Sequence, residues 1–236
     1  MSHPGAPPPA LPVLLLTDGR PGHYHLAEGV VAAIARRRPV DVKRMPVHRP
    51  GWLPGRVLTG LVRIGAASAR GVGRALGLRE LPAARLVVSA GGDTMVANIL
   101  AARQLGAANI FCGTLRRVEP SCFSLIVSSY ARHASLPRHL VCLKPSGIDP
   151  DRLGDRPALG AQPKAGLLVG GDSGLFKYAP EEWERIARFL GEAHQAMGVR
   201  WVVSTSPRTP GPVADRFQAL AAEAGSPIAE LIDFRT

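Results

Sequence analysis

Apolar and polar positions along this chain follow a repeated order of short apolar runs and longer amphipathic stretches. Runs of strand length predict β-strands at 12–17, 40–47, 85–89, 108–112, 123–128 and 139–143, and the stretches between them predict helices at 26–38, 52–78 and 94–106. The order resumes with strands at 165–169, 199–204 and 228–232 and helices at 180–197 and 211–224. Strands that alternate with helices predict an α/β protein built on parallel sheets.

The segment 144–164 separates these two series of elements. It is rich in Pro, Gly and Asp, which is typical of a linker between domains. We therefore predict a flexible tail at 1–10, a Rossmann-like domain at 11–143, a linker at 144–164 and a second Rossmann-like domain at 165–236. Because this last series is shorter than the roughly 100–150 residues of a usual domain, the second domain is predicted to be incomplete.

Three of the predicted strands run into glycine-containing turns. The turns are Asp18-Gly19-Arg20-Pro21-Gly22-His23, Ala90-Gly91-Gly92-Asp93 and Gly170-Gly171-Asp172-Ser173-Gly174. In parallel α/β sheets such turns bind ligands, because glycine lets the backbone approach closely and the following helix offers unpaired N–H groups to an anion. The turns therefore predict a phosphate-bearing ligand.

The positive charge of the chain is concentrated in one segment. Between Arg36 and Arg79 there are 11 Lys or Arg against one acid, Asp41, so this segment carries +10 of the total of +11. Nucleic-acid surfaces usually add exposed aromatic side chains to basic ones, and the segment has only Trp52. A nucleic-acid partner is therefore not expected.

Within that segment the charges fall on one face of a predicted helix. At about 100° per residue, four arginines share a face and four apolar residues lie opposite: Arg56, Arg63, Arg70 and Arg74 against Leu58, Leu61, Val72 and Leu76. Two interpretations stay open here. The arginines are either the solvated face of a helix packed on the core, or a surface that binds anionic lipid headgroups.

Several classes of protein find no support in the sequence. No apolar run is long enough for a transmembrane helix and the start lacks the features of a signal peptide, so we expect a cytoplasmic protein. Cys112, Cys122 and Cys142 lack the spacing of a metal or redox site, and we expect buried thiols and no metal. A dinucleotide fingerprint after the first strand and a P-loop are both missing, which argues against an NAD-dependent epimerase and a P-loop nucleotidase.

The three turns, together with Thr205-Ser206-Pro207-Arg208-Thr209-Pro210, resemble a known family from about Leu11 onward. It is the family described as mitochondrial-fission proteins or nucleoside-diphosphate-sugar epimerases, whose members resemble GT-B glycosyltransferases. Members usually continue with a further segment, so the chain resembles a member shortened at its C-terminus. The first turn is also similar to the glycine-rich, histidine-containing loop of the lipid-intermediate N-acetylglucosaminyltransferase of peptidoglycan synthesis.

This resemblance implies a GT-B-like protein with an acceptor side and a donor side. The N-terminal domain would bind the acceptor, through Gly19, Arg20, Gly22, Gly91, Gly92 and Thr94. The C-terminal domain would bind the phosphates of a nucleotide sugar, through Gly170, Gly171, Ser173, Ser206, Arg208 and Thr209. No cofactor is expected, because helix ends and arginine can supply the charge that a diphosphate needs. Where the family often has a basic or polar residue after its Ser-Ala-Gly, this chain has Gly92-Asp93.

Three side chains are candidates for the base that deprotonates an acceptor hydroxyl: His23, Asp93 and Asp18. Histidine suits proton transfer near neutral pH. Each candidate also has a purely local interpretation. His23 could be a loop histidine that hydrogen bonds the backbone, and Asp18 or Asp93 could cap the helix that follows it.

Two functions agree with these patterns. One is a metal-independent glycosyltransferase that moves a sugar from a nucleotide sugar to a lipid-linked or surface-polysaccharide acceptor, peripheral on the cytoplasmic face of the inner membrane. The other is a non-catalytic, membrane-associated binding or scaffold protein that has lost donor binding.

Overall fold

The computed structural model describes residues 8–65, 69–115, 117–154, 163–172 and 176–235. The chain divides into two compact units, Met1–Arg152 and Leu153–Thr236, which we call unit 1 and unit 2. The division falls within the segment 144–164 that the sequence predicts as a linker.

Unit 1 is a six-stranded parallel sheet with helices between its strands. Its elements are β1 (Leu11–Thr17), α1 (Pro21–Ala35), β2 (Val40–Pro46), α2 (Gly55–Arg63), β3 (Leu86–Ala90), α3 (Met95–Leu105), β4 (Ala108–Cys112), β5 (Leu125–Ser128) and β6 (His139–Val141). The strands lie in the order β2-β1-β3-β4-β5-β6, and every neighbouring pair is parallel.

Both faces of the central strands of this sheet are buried. Successive residues of a strand point to opposite faces, so each central strand contributes to two hydrophobic clusters. One cluster joins Leu14, Leu16 and Val87 to helices α2 and α3, and the other joins Val13, Leu15 and Val88 to helix α1. Because helices pack on both faces of the central strands, these strands are continuous apolar runs in the sequence.

Unit 2 is a three-stranded parallel sheet. It consists of β7 (Lys164–Leu168), α4 (Pro180–Met197), β8 (Arg200–Ser204), α5 (Gly211–Ala222) and β9 (Ile228–Ile232), with the strands in that order. Trp201 and Val203 of β8 pack against both helices, in one cluster with Leu190 and Phe217. On the opposite face of the sheet, Leu168 is 86% exposed.

The prediction of an α/β protein with two parallel sheets is confirmed. The predicted strands and helices agree with the structure within a few residues, with two exceptions. Helix α1 begins at Pro21 instead of residue 26, because proline is favourable in the first turn of a helix. The predicted helical stretch at 52–78 is interrupted, since α2 covers Gly55–Arg63, Gly65 then takes a φ of +72°, and a π-helical turn follows at Ala69–Gly73.

The basic face predicted for 52–78 is reduced by this break. Leu58 and Leu76 are buried in the core of unit 1, while Arg63 and Arg74 are exposed. The side chain of Arg70 lies outside the described residues. Leu58 and Leu76 are therefore core residues, and both interpretations of the exposed arginines stay open.

The expectation of three buried thiols is wrong. Cys112 is buried at the end of a central strand, whereas Cys122 is half-buried and Cys142, just past the short edge strand β6, is exposed.

Across the described ranges there is no cluster of three or more His, Cys, Asp or Glu side chains that could hold a metal ion. Within the same ranges, every helix is too short or too polar to cross a bilayer.

Candidate functional site

The first two glycine turns of the sequence meet at the carboxyl ends of β1 and β3. From β1 the chain moves to β2 on one side and later returns past β1 to β3 on the other, so β1 and β3 flank the point where the strand order reverses. In open α/β sheets this reversal leaves a crevice at the carboxyl ends of the strands, and ligands bind there. The turn after β1 and the turn after β3 form the walls of this crevice.

A buried carboxylate fixes the histidine of the first turn. The Nδ1 atom of His23 lies 2.7 Å from Oδ2 of Asp18, whose side chain is only 5% exposed. A carboxylate accepts the Nδ1 proton, so Nε2 is the nitrogen left to accept a proton from a ligand. His23 is in the first turn of α1, not in a loop, and its ring bonds a side chain instead of the backbone.

The glycine of the second turn makes room for this histidine. Gly91 has a φ of +89°, which favours glycine, and a Cβ at this position would overlap Nδ1 of His23. The imidazole therefore packs directly on the backbone of the turn after β3. Thr94 holds the same turn, since its fully buried hydroxyl donates to the carbonyls of Ala90 and Gly91 and is not presented to a ligand.

Asp93 takes part in an ionic cluster and does not cap a helix. Its carboxylate accepts a hydrogen bond of 2.8 Å from Nε of Arg49 and lies 3.5 Å from the Nη2 atom of Arg20. The N-cap residue of α3 is Thr94. Asp93 stands where the family that the sequence resembles often has a basic or polar residue. Positive charge is supplied here instead by Arg20 of the turn after β1 and Arg49 of the segment after β2.

A cavity of about 270 Å³ opens beside His23. It is lined by the carboxyl ends of β3, β4 and β5 and by the segment after β6, with Gly91, Gly92, Cys112, Gly113, Thr114, Ser128, Ser129, Tyr130, Lys144 and Pro145 among its residues. Lys144 forms no ion pair with any residue in the described ranges. The cavity therefore joins an imidazole nitrogen to a cation that has no ion-pair partner among the described residues, a combination suited to an anionic molecule that carries a hydroxyl group.

A second cavity, of about 530 Å³, lies next to the first and shares Gly92 with it. Its wall contains Arg49, Arg56 and Arg117 together with Asp93. The guanidinium groups of Arg56 and Arg117 have no carboxylate partner within the described part of the chain. Arg56, predicted on the lipid-facing surface, thus also belongs to this cavity.

Two groups at or next to the first cavity, Cys112 and His133, have shifted pKa values. Burial, with a smaller effect of Cys142, raises the pKa of the Cys112 thiol to about 12. Burial and the nearby Arg132 and His139 lower the pKa of His133, whose Nδ1 lies 2.7 Å from Oγ of Ser128. Ser128 also accepts the N–H of Tyr130. These bonds hold the hydroxyl of Ser128 at the cavity wall.

In unit 2 the turns after β7 and β8 are joined directly. The hydroxyl of Thr209 donates to the carbonyl of Val169 over 2.7 Å and accepts the N–H of Ser206 over 2.9 Å. A Cβ at Gly171 would meet the carbonyl oxygen of Arg208, so this position requires glycine. Gly170, Gly171, Ser206, Arg208 and Thr209 are therefore brought together, whereas Ser173 lies outside the described residues.

Backbone and side-chain donors are available at these turns. The N–H groups of Gly170 and Gly171 donate to no residue that the structure describes. Arg208 is exposed, and its guanidinium pairs with no carboxylate in the described ranges. Helix α4 begins only at Pro180, so the third turn is not followed directly by a helix, and any N–H groups that bind an anion come from the loop.

The same loop and the end of β9 carry two fixed carboxylates. Asp172 accepts hydrogen bonds from Lys177 and the N–H of Tyr178, which lower its pKa. Asp233 accepts hydrogen bonds from Arg235 and Thr205, and these lower its pKa to about 2. Both groups stay ionised at neutral pH.

Several residues of the site were not predicted from the sequence. Arg49, Arg117 and Lys144 supply the cations of the two cavities, and Ser128 supplies a fixed hydroxyl. Arg49, Lys144 and Ser128 lie at or just past the carboxyl ends of β2, β6 and β5, the edge where ligands bind. Position at a strand end is therefore the sequence signal that these three residues share, although no glycine turn marks them.

Comparison with known proteins now identifies the family. The model of the Mitochondrial fission ELM1 family matches residues 21–230, and the chain belongs to this family. The resemblance seen in the turns is thereby confirmed. No curated protein matches the chain. Among solved structures, the S. aureus MnaA-UDP co-structure is 10% identical, covering 95% of this chain and 68% of that chain with a TM-score of 0.48. A similarity at this level says nothing about function.

Proposed function

We propose that this protein is a glycosyltransferase that moves a sugar from a nucleotide sugar to an acceptor hydroxyl. The observation that carries the proposal is the Asp18–His23 pair, held at the reversal of strand order and facing a cavity that also contains Lys144. A histidine oriented by a buried carboxylate is a typical general base. The geometry supports unit 1 as the acceptor side.

In the proposed reaction, Nε2 of His23 accepts the proton of the acceptor hydroxyl while Asp18 stabilises the imidazolium that forms. The acceptor oxygen then forms a bond to the anomeric carbon, and the bond from that carbon to the diphosphate oxygen breaks. The nucleoside diphosphate leaves with the electron pair of the broken bond. Arg49, Arg56 and Arg117 would bind an anionic group of the acceptor in the second cavity.

Unit 2 would bind the leaving diphosphate. The N–H groups of Gly170 and Gly171 and the guanidinium of Arg208, unpaired within the described ranges, are the donors that phosphate oxygens prefer. Gly171 packs directly on the backbone of Arg208, so the two turns present these donors as one surface. No metal is required by this arrangement of charge.

A calorimetric titration with a panel of nucleotide sugars tests donor binding. We expect Arg208→Ala to weaken binding by about tenfold or more, because a charge-assisted bond is lost, and Arg188→Ala, an exposed arginine of α4, to change nothing. If no nucleotide sugar binds, or Arg208→Ala binds as tightly as the unmodified chain, the donor site is wrong and the scaffold function replaces it.

Catalysis is tested separately by release of nucleoside diphosphate from the donor that binds. His23→Ala should lower kcat by about 10²–10⁴-fold without changing donor affinity, because general-base catalysis acts on the chemical step. His25→Ala is the matched control, since His25 lies two residues further on and pairs with Glu28. Equal rates for His23→Ala and the unmodified chain would exclude His23 as the base.

The proposed acceptor is lipid-linked, which requires the protein to meet a membrane surface. Arg63 and Arg74 are exposed and unpaired within the described ranges, so we expect sedimentation with phosphatidylglycerol vesicles that weakens as salt is added. Changing Arg56, Arg63, Arg70 and Arg74 to Gln should abolish it. Equal sedimentation with phosphatidylcholine vesicles would contradict this part of the proposal.

A further inference from the structure

We propose that unit 1 extracts an anionic phospholipid from a membrane, with an acyl chain in an apolar groove beside α1 and the phosphate at Arg36 and Arg37. The groove has a volume of about 740 Å³. This volume lies in the range of about 300–1,000 Å³ that is usual for sites of small ligands. The proposal is independent of glycosyl transfer and of the exposed arginines after α2.

The walls of the groove are almost entirely hydrocarbon. One wall is α1, the floor is the face of β4 and β5, and the other wall is β6 with the segment that follows it. Their apolar side chains are Val30, Ala33, Ile34, Ile110, Leu125, Val127, Leu140, Leu143 and Ile148. A lining of this kind favours an alkyl chain over a polar ligand.

The apolar side chains of the second wall are open to solvent. Leu143 is 91% exposed, Ile148 is 64% exposed and Leu140 is 49% exposed. Contiguous exposed hydrocarbon of this kind is uncommon on a monomeric protein and indicates a binding surface. An acyl chain in the groove would remove these side chains from water.

The groove has a defined direction. At Gly29 the helix touches the second wall, because a Cβ there would overlap the backbone nitrogen of Ser146. The groove is therefore narrow at this end. It continues along α1 for about two turns and reaches Arg36 and Arg37, at the C-terminal end of the helix. Lys144, which also lines the first cavity, lies beside Pro145 and Ser146, whereas Arg36, Arg37 and Arg38 lie together at the other end. An acyl chain with its phosphate at the arginine end fits this distribution of charge.

The charges at the end of the groove opposite Gly29 favour an anionic headgroup. Arg36 and Arg37 are exposed and form no ion pair with any described residue, while Arg38 donates to the carbonyl of Pro9. Cations at the end of a helix are common, since they interact favourably with the helix dipole, so these charges alone indicate no ligand. Here they end an apolar groove, and a phosphate would bond both guanidinium groups. Phosphatidylcholine carries a phosphate too, but the two guanidinium groups repel its quaternary ammonium, so an anionic phospholipid would bind more tightly.

Lipid retention after removal of the vesicles tests the proposal. The full chain is incubated with vesicles of phosphatidylglycerol or of phosphatidylcholine, separated by flotation at high salt and analysed for bound lipid by mass spectrometry. We expect about one phosphatidylglycerol per chain, and about tenfold less phosphatidylcholine. High salt removes chains that only adsorb to a surface, so retained lipid reports the groove.

A pair of tryptophan variants on α1 tests the groove itself. Ala33→Trp fills it from an exposed position and should lower retained lipid by about tenfold or more. Ala35→Trp, equally exposed but outside the lining, should retain as much as the unmodified chain. Equal thermal midpoints of the two variants show that both are folded. No retained lipid in the unmodified chain, or equal retention in both variants, would overturn the proposal.

A pair of charge variants tests the headgroup position. The double variant Arg36→Gln, Arg37→Gln should retain about tenfold less phosphatidylglycerol. The double variant Arg79→Gln, Arg85→Gln removes the same charge at exposed arginines that line neither the groove nor the two cavities, and should retain it fully. Complete displacement of the lipid by inorganic phosphate would assign the arginines to a phosphate site. A lipid-free dimer that Ala33→Trp makes monomeric would assign the groove to a second copy. Either result would overturn the proposal.

Discussion

Unit 1 and unit 2 are built from the same β-α-β connection but differ in how their sheets are covered. In unit 1 the strand order reverses at β1, so helices pack on both faces and the central strands are buried on both sides. In unit 2 the strands follow in chain order, and α4 and α5 pack in a single cluster on one face. The reversal thus provides both a second core layer and the crevice that holds Asp18 and His23.

The two units also differ in the polar groups of their cores. In unit 1 the amide of Asn98 is fully buried, donates to Oγ of Ser89 and the carbonyl of Ile110, and accepts from Asn109. In the described part of unit 2 the buried side-chain bonds are separate from one another: Nε1 of Trp201 donates to the carbonyl of Leu190, and Oγ of Ser226 accepts the N–H of Ile228. Satisfied networks of this kind rigidify a core, and we expect unit 1 to be the more cooperative unit.

The largest expected effect is the response of the two units to the same core substitution. Phe111 in unit 1 and Phe217 in unit 2 are both fully buried, so Phe111→Ala and Phe217→Ala should each cost about 3–5 kcal/mol. Because unit 2 has one core layer, we expect Phe217→Ala to unfold unit 2, whereas Phe111→Ala should leave unit 1 folded. Hydrogen exchange measured by mass spectrometry distinguishes the units. Equal loss of protection would mean that unit 2 is as stable as unit 1.

A smaller effect is expected from the buried hydrogen bonds. Asn98→Ala removes one hydrogen bond each from Ser89, Ile110 and Asn109 and should lower the free energy of unfolding of unit 1 by about 3 kcal/mol. Trp201→Phe removes one bond and should cost unit 2 about 1 kcal/mol. Denaturant titration of each variant measures both values. A smaller loss for Asn98→Ala than for Trp201→Phe would contradict the role of the network.

Most of the fold could be predicted from the sequence, because buried strands in a parallel sheet are continuous apolar runs whatever their neighbours are. The strands at 108–112 and 228–232 and the helix at 180–197 agree residue for residue with the structure. The break in the helical stretch 52–78 could not be predicted in the same way. Its apolar spacing continues past Gly65, where the backbone turns.

The candidate site could be predicted only where neighbouring strands carry glycine turns. The contact of Gly91 with His23 and that of Gly171 with Arg208 both join turns from adjacent strands, and strand adjacency follows from the parallel fold. Arg49 and Asp93 are 44 positions apart in the chain, and their ion pair depends on how their side chains pack. The apolar groove beside α1 likewise depends on where the segment after β6 lies, which no periodicity indicates.

The smallest expected effect is a difference between the units in acid. Burial, Arg132 and His139 lower the pKa of His133 from its ordinary 6.5, so the unfolded chain binds the proton first and unit 1 loses stability as the pH falls below about 6.5. Hydrogen bonds from Arg235 and Thr205 lower the pKa of Asp233 from 3.8 to about 2, so its contribution to unit 2 is complete above pH 4 and is lost between about pH 4 and pH 2.

Two variants separate these contributions. His133→Gln should flatten the loss of stability of unit 1 between pH 6.5 and pH 5, because glutamine does not bind a proton there, and should leave the profile of unit 2 unchanged. Asp233→Asn should lower the stability of unit 2 above pH 4 and weaken its dependence on pH below that value, to which Asp172 still contributes. Unfolding of each unit is followed by hydrogen exchange at a series of pH values. Parallel profiles for His133→Gln and the unmodified chain in unit 1 would show that His133 titrates equally in the folded and unfolded states.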